Sequence, residues 1–201
     1  MVKRGFDLLV SAAALLALWP LLLIVGLLIR LDSAGPAVFR QERVGRFGRP
    51  FQMLKFRTMR AEAVASGRLI TVAGDPCITR VGAWLRATKM DELLQLVNVL
   101  KGDMSLVGPR PEVAKYVAVY PPAERDLILS VRPGITDEAA IQFRDEASLL
   151  AAADDPERYY VEEILPRKLR LYSDYVRCRS FGGDLVLLGR TCLAVLGRPE
   201  T

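Results

Sequence analysis

The longest apolar stretch of the chain lies near its N-terminus, where about 22 consecutive residues, Leu8 to Ile29, carry no charge. A helix rising ~1.5 Å per residue would be long enough here to cross a hydrocarbon layer of ~30 Å. A cleaved signal peptide would have a shorter apolar part and a small-residue cleavage site, but Arg30 follows instead. A core helix of a soluble protein would show a polar face. The pattern therefore predicts that residues 1–31 anchor the protein in a membrane.

Basic residues flank both ends of this segment, with Lys3 and Arg4 before it and Arg30 after it. Basic flanks favour the cytoplasmic side, and a straight span cannot place both of its ends there. Pro20, preceded by Trp19, lies near the middle, where proline removes one backbone hydrogen bond and bends a helix. We therefore expect a re-entrant helix–break–helix that bends at these two residues and returns to the same leaflet, in preference to a single span.

The rest of the chain, residues 32–201, is expected to form one cytosolic domain associated with the membrane. Its patterns predict two strands and two helices, at Ala37–Gln41, Phe51–Phe56, Ile78–Ala87 and Lys89–Lys101. Thr88 to Asp91 resembles a capping box that would open the second helix. Leu185–Leu196 is either a core helix or an amphipathic helix in the membrane interface. The expected fold class is α/β, mostly helical with a small sheet.

Composition narrows the chemistry. The 201 residues include no histidine, which excludes Ser-His and Cys-His nucleophile pairs and histidine-ligated metals. The three cysteines are odd in number and have no metal-binding spacing, so reduced thiols are expected. The net charge of +5 favours an anionic partner, which could be nucleic acid, phosphate groups or a lipid surface.

A basic cluster lies between Arg40 and Arg60, where seven basic residues accompany one acid. Lys55 and Arg57 alternate with apolar neighbours, so both side chains would point to the same side of an extended strand. Two interpretations stay open at this point. The cluster could contact anionic lipid headgroups, at ~1 kcal/mol per charge, or it could form a phosphate site.

Asp91 and Glu92 fall in the first turn of the predicted second helix, where acids commonly do no more than start the helix. Adjacent residues on a helix diverge by ~100°, so the two carboxylates would need different partners. Arg110 and Arg132 each lie beside prolines in rigid turns. They are either preorganised anion clamps or ordinary loop charges paired with acids.

Four motifs together resemble the bacterial sugar transferase family. They are RQERVG (Arg40–Gly45), KFRTM (Lys55–Met59), DELLQLVNVLKGDMSLVGPRP (Asp91–Pro111) and RPGIT (Arg132–Thr136). The resemblance extends from about Lys3 to Leu196, nearly the whole chain. The family consists of monotopic phosphoglycosyl transferases, which begin glycoconjugate assembly on a polyprenyl phosphate.

The resemblance implies transfer of a sugar 1-phosphate from a UDP-sugar to undecaprenyl phosphate, with release of UMP, through a covalent phosphoryl-enzyme. Asp91 would be the nucleophile, Glu92 would act as a base or metal partner, and Mg²⁺ would bind near both. Positions matching the family's phosphate- and nucleotide-binding residues are Lys55, Arg86, Arg110 and Arg132. Pro109 matches a rigid cis turn, Arg57 joins the binding set by its strand phase, and Lys3 and Arg4 match lipid-interface residues.

Two residues depart from the family pattern. Trp19 stands where many members carry serine before the proline, which affects the expected bend. Asp137 replaces the glycine that usually completes the PGITG motif. A left-handed backbone at this position would be strained for aspartate, and the change bears on which sugar is recognised.

We expect the protein at the cytoplasmic face of a bacterial inner membrane, with phospholipid as a partner and without a nucleic-acid partner. The sequence leaves the oligomeric state open, a homodimer included, and it does not identify the sugar. The alternative function is a membrane-anchored basic binding module without catalysis. That alternative requires stacking aromatic residues among the charges, and it leaves the GDMSLVGPRP segment unexplained.

Overall fold

A computed structural model describes residues 2–60, 72 and 74–197, which are mostly helical with two small two-stranded sheets, as expected. The strands are β1 (Val38–Val44), β2 (Pro50–Phe56), β3 (Ser105–Val107) and β4 (Gly134–Thr136). The longer helices are α1 (Val2–Asp32), α2 (Arg80–Ala87), α3 (Gln95–Lys101), α5 (Pro122–Leu129), α9 (Leu165–Cys178) and α10 (Phe181–Leu196). The shorter helical segments are α4 (Ala114–Val117), α6 (Glu138–Gln142), α7 (Glu146–Ala151), α8 (Pro156–Tyr159) and a π-helical turn at Tyr160–Ile164.

Helix α1 is one continuous helix of 31 residues with Pro20 inside it. The sequence predicted a break at Trp19–Pro20, and the helix instead continues through both residues. Proline removes a single backbone donor, and the hydrogen bonds of the turns on either side remain in place. Within the residues that the structure describes, α1 is the one helix long and apolar enough to cross a membrane, judged by length and composition.

One face of α1 lies along the domain from its first turn to its last. Asp7 and Ser11 are buried near its start, and the Asp7 carboxylate accepts a 2.7 Å hydrogen bond from the Ser105 hydroxyl. Val25 and Ile29 are buried near its end. The opposite face exposes large apolar side chains, namely Leu9, Leu16, Trp19, Leu23, Leu27 and Leu31. Both ends of the helix are therefore fixed to the same domain, while its outer face remains apolar and uncovered.

Strands β1 and β2 form an antiparallel hairpin in which Val38 pairs with Phe56 and Val44 pairs with Pro50. The two strands predicted from the sequence are confirmed, each somewhat longer or shifted at its ends. The connecting loop contains a short 3₁₀ turn at Arg46–Gly48. The hairpin thus contains the part of the basic cluster that extends from Arg40 to Lys55.

Strands β3 and β4 pair in parallel, and the backbone beyond β3 runs very close to the backbone that leads into β4. A Cβ atom on Gly134 would lie 2.1 Å from the Gly108 amide nitrogen, so no side chain fits at this crossing. The Gly134 amide donates to the Pro109 carbonyl at 2.9 Å. The GPRP turn and the RPGIT turn are therefore held side by side.

Three clusters of buried side chains form the core. The largest is contributed by the C-terminal helices and includes Tyr116, Ile128, Tyr160, Leu169 and Tyr172. The second joins β2, α3 and β3 through Met53, Val99 and Met104. The third joins the end of α1 to α2 through Val25, Ile29, Phe56 and Leu85. Burial of each large apolar side chain contributes about 1.5–3 kcal/mol, so the third cluster ties α1 firmly to the domain.

Asp137 begins helix α6, and its backbone is extended, with φ of −159° and ψ of 174°. The strain that a left-handed backbone would impose on aspartate at this position therefore does not arise. The Asp137 carboxylate instead accepts a 2.8 Å hydrogen bond from the Ala140 amide, which is an ordinary N-cap contact. Aspartate is well suited to that role, so its presence in place of glycine needs no special backbone geometry.

Helix α10 combines features of the two alternatives considered for the C-terminal apolar segment. Leu187 and Leu188 pack against the second core cluster. Leu185, Val186 and Leu193 are exposed on the other side of the helix. The helix is therefore partly a core element and partly an uncovered apolar surface.

Candidate active site

Asp91 and Glu92 lie in a single 3₁₀ turn, Met90–Glu92, between α2 and α3. Lys89, which precedes the turn, has φ of 58°, in the left-handed region. The Thr88 hydroxyl donates back to a carbonyl of α2 at 2.9 Å, as threonine side chains often do at the end of a helix. The predicted capping box is therefore wrong. The helix predicted over Lys89–Lys101 begins only at Gln95, but it ends at Lys101 before Gly102 as expected. The two acids lie ahead of α3, in what we call the acidic turn (Lys89–Glu92).

The Glu92 carboxylate is held by two cations. The Arg110 guanidinium grips both of its oxygens, with Nη1 donating to Oε2 at 3.0 Å and Nη2 donating to Oε1. Lys55 donates to Oε1 at 3.3 Å. Burial raises the pKa of Glu92, but the charges of Arg110 and Lys55 outweigh burial and hold that pKa well below its usual range. Glu92 is therefore ionised at neutral pH, and its position is fixed by a bidentate contact.

Asp91 is buried, with 8% of its surface exposed, and its surroundings differ from those of Glu92. Burial and the negative charge of Glu92 raise the pKa of Asp91, whereas Lys55, Arg86 and Arg110 oppose that shift. Within the described part of the chain, Asp91 forms no ion pair of its own. The two adjacent carboxylates thus have different partners, which agrees with the expectation from their spacing.

Arg86 approaches Asp91 from α2. Its Nε atom donates to the Thr58 hydroxyl at 2.8 Å, which fixes the guanidinium against the end of β2. Burial lowers the pKa of Arg86, and the charges of Asp91 and Asp75 partly restore it. Together with Lys55 and Arg110, Arg86 completes a group of three cations around one buried acid.

The GPRP turn positions Arg110 opposite Glu92. Gly108 donates its amide to the Thr136 carbonyl at 3.1 Å, and Pro109 accepts from Gly134, so the turn is fixed on both sides. The expectation of a cis bond at Pro109 is wrong, because no cis peptide bond occurs among the described residues. The close contact between the backbones of Gly108 and Gly134, rather than a cis proline, fixes the backbone position of Arg110.

Arg57 does not join this group. Its guanidinium is buried and donates to the carbonyls of Ala34 at 2.6 Å and Ser33 at 2.7 Å, with a weaker contact to Ile29 at 3.4 Å. Strand β2 ends at Phe56, so the alternation that predicted a shared direction with Lys55 no longer applies one residue later. The assignment of Arg57 to substrate binding is therefore corrected, since its donors cap the C-terminal end of α1.

Arg132, Lys3 and Arg4 also use their donors within the protein. Arg132 Nε donates to the Gly102 carbonyl at 2.8 Å, away from the acidic turn. Lys3 donates to the Val107 carbonyl at 3.1 Å and pairs with Asp184, and Arg4 Nη2 donates to the Val99 carbonyl at 2.7 Å. The two N-terminal cations thus attach the first turn of α1 to the domain. The structure does not bring Arg132 together with Glu92.

A cavity of about 690 Å³ lies beside the acidic turn. Its charged edge includes Lys89, Glu92 and Arg110, whereas Asp91 is not among the described residues that line it. Much of the remaining lining is apolar and includes Leu18, Leu21, Leu93, Leu96, Ile135, Ala139, Ala140, Phe143, Ala147, Leu150 and Ala194. The cavity lining is therefore mainly apolar, with charged groups both at the acidic turn and at Arg43, Glu112, Arg144, Glu146 and Lys168.

A buried polar network in the same cavity wall was missed by the sequence analysis. Arg43 Nη1 donates to Glu112 at 3.1 Å, and the Tyr160 hydroxyl donates to the other Glu112 oxygen at 2.6 Å. Arg43 had been counted with the basic cluster, since a cation on a short strand is usually exposed. No local pattern in the sequence pairs Arg43 with Glu112, because the two residues are 69 positions apart.

The acidic turn supplies two carboxylates for a metal ion. No group of three or more His, Cys, Asp or Glu residues that could hold a metal occurs within the described ranges. Mg²⁺ commonly binds through one or two carboxylates and completes its shell with water and substrate phosphates. Glu92 already accepts bonds from Arg110 and Lys55, whereas Asp91 has no ion pair. The donor set therefore fits Mg²⁺ bound mainly through Asp91, with Glu92 beside it.

Comparison with known proteins gives a consistent result. The chain is 40% identical over 197 residues to the UDP-glucose:undecaprenyl-phosphate glucose-1-phosphate transferase of Caulobacter vibrioides, covering 96% of the chain and 69% of that relative. It is 39% identical over 192 residues to the undecaprenyl-phosphate glucose phosphotransferase of Komagataeibacter xylinus, covering 92% of the chain and 34% of the relative. It is 41% identical over 145 residues to the UDP-N-acetylgalactosamine-undecaprenyl-phosphate N-acetylgalactosaminephosphotransferase of Aeromonas hydrophila, covering 70% and 34%.

The chain thus spans between about a third and about two thirds of the length of these relatives. The relatives also differ in the sugar that their names specify. The family profile described as bacterial sugar transferase matches residues 1–198, which include every element of the site described above. This protein belongs to the bacterial sugar transferase family.

Proposed function

We propose that this protein transfers a sugar 1-phosphate from a UDP-sugar to undecaprenyl phosphate and releases UMP. The reaction would proceed through an aspartyl-phosphosugar intermediate on Asp91. The observation that carries the proposal is the buried Asp91 carboxylate beside Glu92, which Lys55 and Arg110 hold by direct contacts, with Arg86 adding positive charge that acts on Asp91. The names of the three relatives support the same reaction class.

In the first step, an Asp91 oxygen forms a bond to the β-phosphorus, and the bond from that phosphorus to the bridging oxygen breaks. UMP leaves with the bridging oxygen and its electron pair. In the second step, an oxygen of the lipid phosphate attacks the same phosphorus and the bond to Asp91 breaks, which restores the carboxylate. No proton transfer to or from a histidine is needed in either step.

The residues of the site favour this chemistry through charge and position. Phosphoryl transfer requires alignment and neutralisation of oxygen charges more than covalent assistance. Lys55, Arg86 and Arg110 place positive charge around Asp91, in a setting largely closed to water where such charges act strongly. Mg²⁺ bound at Asp91 and Glu92 would add further neutralisation of the phosphate oxygens. The same cations favour the ionised form of Asp91, which is the form that attacks.

The decisive test is to trap the intermediate. Wild-type protein in detergent, given a UDP-sugar labelled in its β-phosphate without acceptor, should release about one UMP per enzyme and retain the label on Asp91. Asp91→Asn should do neither, while Asp126→Asn, at an exposed acid on α5, should behave as wild type. Label retained by the Asp91→Asn variant would assign the nucleophile to another residue.

We also propose that α1 enters one leaflet from the cytoplasmic face of a bacterial inner membrane and does not cross it. Thirty-one helical residues extend about 46 Å, yet Lys3 at one end and Ile29 at the other both contact the same domain. A domain on one side of a bilayer could not hold both ends of a straight span. Cysteines introduced at Val2 and Leu31 should both resist a membrane-impermeant maleimide added to intact spheroplasts, with the unsubstituted chain as background control.

A further inference from the structure

Two buried tyrosine hydroxyls in the cavity beside the acidic turn have no hydrogen-bond partner among the described residues. Tyr116 and Tyr172 both line the cavity, and only 4% and 1% of their surfaces are exposed. Other described residues also bury unpartnered polar side-chain atoms, but none of those residues lines the cavity. A buried hydroxyl without a partner is unfavourable, because it has given up its hydrogen bonds to water. Both hydroxyls are therefore available to a polar molecule that enters the cavity.

The charged lining residues away from the acidic turn already have partners within the protein. Arg43 pairs with Glu112, Lys168 pairs with Glu146, and the Arg144 guanidinium donates to a backbone carbonyl. The two ion pairs carry no net charge. A phosphate or carboxylate group would have to displace a partner from each of these cations, whereas a neutral ligand would displace nothing. We call the two ion pairs and the two tyrosines the polar wall, and its charges favour a neutral ligand.

The two tyrosine hydroxyls can both donate and accept hydrogen bonds. Burial is the main cause that raises the pKa of Tyr116 to about 12 and the pKa of Tyr172 well above its usual value, so both are protonated at neutral pH. Much of the remaining lining is apolar and includes Ala139, Ala140 and Leu150. A sugar presents hydroxyl groups beside C–H surfaces, which suits a few placed polar groups on an apolar lining. A hydrocarbon would instead leave both hydroxyls without a partner.

The polar wall lies next to the acidic turn. Arg110 binds Glu92 at that turn. Glu112, two positions further along the chain, binds Arg43 in the polar wall. The sugar of a UDP-sugar is joined through one oxygen to the β-phosphorus that Asp91 would attack, so the sugar must lie beside the acidic turn during the first step. The cavity volume of about 690 Å³ is within the usual range for small-molecule sites.

We propose that Tyr116 and Tyr172 bind the sugar of the donor and determine which UDP-sugars this protein accepts. Their hydroxyls form hydrogen bonds with oxygens on the side of the sugar ring that faces away from the phosphate. The substrate class is a neutral hexose or N-acetylhexosamine, and a uronic acid is disfavoured because the polar wall has no unpaired cation for its carboxylate. This inference rests on the proposed function, which it extends by naming residues that select the donor.

The test removes each hydroxyl and keeps its ring. Wild type, Tyr116→Phe and Tyr172→Phe are each given UDP-glucose, UDP-galactose, UDP-N-acetylglucosamine, UDP-N-acetylgalactosamine or UDP-glucuronate without acceptor, and the second-order rate constant for UMP release is measured. For the neutral donor that wild type uses best, each variant should lower this constant roughly tenfold, because a sugar oxygen loses its partner. For the poorest neutral donor the change should stay within about twofold. Tyr120→Phe, at a buried tyrosine of the same core cluster that does not line the cavity, is the matched control.

Two further measurements separate sugar binding from a structural role. The melting temperatures of Tyr116→Phe and Tyr172→Phe should not fall below that of wild type, because neither hydroxyl bonds a described residue. The KM for undecaprenyl phosphate should stay within about twofold. An equal loss for all neutral donors, an effect confined to the acceptor KM, unchanged donor kinetics in both variants, or a wild-type preference for UDP-glucuronate would each overturn the proposal. A wild-type protein that forms no UMP from any donor would instead refute the proposed function itself.

Discussion

The acidic turn and the end of α1 each receive a cation from β2 or its C-terminal end, and the two cations contact different kinds of group. Lys55, within β2, reaches the acidic turn and contacts a carboxylate, whereas Arg57, just beyond that strand, donates to the carbonyls that directly follow α1. Arg110 binds the ionised Glu92 beside a cavity, while the two Nη atoms of Arg57 donate to neutral acceptors. The role of a buried cation is thus set by the groups that occupy its donors, and its sequence position does not reveal them.

The two regions also differ in backbone strain. The end of α1 turns through Gly35, which has φ of 114° and no side chain to strain. The acidic turn instead has Lys89 at φ of 58°, a conformation that costs a non-glycine residue about 1 kcal/mol or more. The turn after α1 therefore places glycine at its left-handed position, while the acidic turn has a strained lysine there whose side chain lines the cavity.

The largest effect is expected where a cation meets the ionised acid. Arg110→Met removes the bidentate partner of Glu92, so kcat/KM should fall about a thousandfold, equivalent to about 4 kcal/mol. UMP formation by folded protein, collected after size exclusion, measures this. Arg125→Met, at an exposed arginine, is the control. A variant with near wild-type turnover would remove the distinction between the two regions.

Arg57→Met should have the opposite profile. It leaves the carbonyls of Ser33 and Ala34 without their donor, so the free energy of unfolding should fall by about 3 kcal/mol. Turnover per folded molecule should stay within about twofold. Thermal unfolding in detergent and UMP release from the same samples measure both quantities. Arg40→Met, exposed on β1, should change neither, and a large loss of turnover with intact stability would return Arg57 to the substrate site.

Asp137 allows a similar comparison between carboxylates, because its pKa is shifted in the opposite direction from that of Glu92. Burial is the main cause that raises its pKa to about 6, although the Ala140 amide, Arg110 and Lys168 oppose the shift. The folded protein therefore binds this proton more tightly than the unfolded chain does. The resulting stabilisation is complete below about pH 4 and is lost as the pH rises through 6.

Asp137→Asn keeps the acceptor for the Ala140 amide but cannot ionise. Relative to this variant, wild-type protein should lose about 2–3 kcal/mol of stability between pH 4 and pH 7.5. Unfolding curves at several pH values measure the difference. Asp145→Asn, at the exposed acid before α7, should show no such trend. A difference that does not vary with pH would mean that Asp137 is not a buried carboxyl with a raised pKa.

The smallest effect concerns the strained turn. Lys89→Gly should relieve the left-handed conformation and raise stability by about 0.5 kcal/mol, since glycine's own entropy cost offsets part of the gain. The shift in melting temperature against wild type measures it. Lys101→Gly, at the last residue of α3, should instead destabilise by about 0.5 kcal/mol. If Lys89→Gly also destabilised, the turn would not be strained in the manner inferred.

Much of this organisation could be predicted from the sequence, because it depends on local patterns. The apolar run gave α1, the alternation around Lys55 gave the hairpin, and the turn residues placed Arg110 in a rigid loop. The family resemblance supplied the grouping of Asp91, Glu92, Lys55 and Arg86, which no local rule provides. These predictions share one property, since each needed only neighbouring residues or a known motif.

The failures have two causes, competition between local hydrogen bonds and contacts between distant segments. Thr88 resembled an N-cap, but the carbonyls of the preceding helix compete for its hydroxyl. The alternating strand pattern was extended to Arg57, although β2 ends at Phe56. The Arg57 guanidinium instead donates to the backbone just after α1. Arg43 resembled a surface cation until Glu112 and Tyr160 were placed beside it. For Arg57 and Arg43 a partner far away in sequence decided the outcome, whereas for Thr88 the carbonyls one turn earlier did.

Attachment of α1 at both ends has a consequence for how this protein can tolerate change. A helix with one free end accommodates an inserted residue by sliding outwards, but here Lys3 is tied to Asp184 and the last turn is tied to Arg57. One extra residue near Leu16 would advance the phase of everything after it by ~100°. Val25 and Ile29 would then turn away from the third core cluster, and leucines of the exposed face of α1 would face the domain. The length of this helix is therefore as strictly specified as the identity of any residue in the acidic turn.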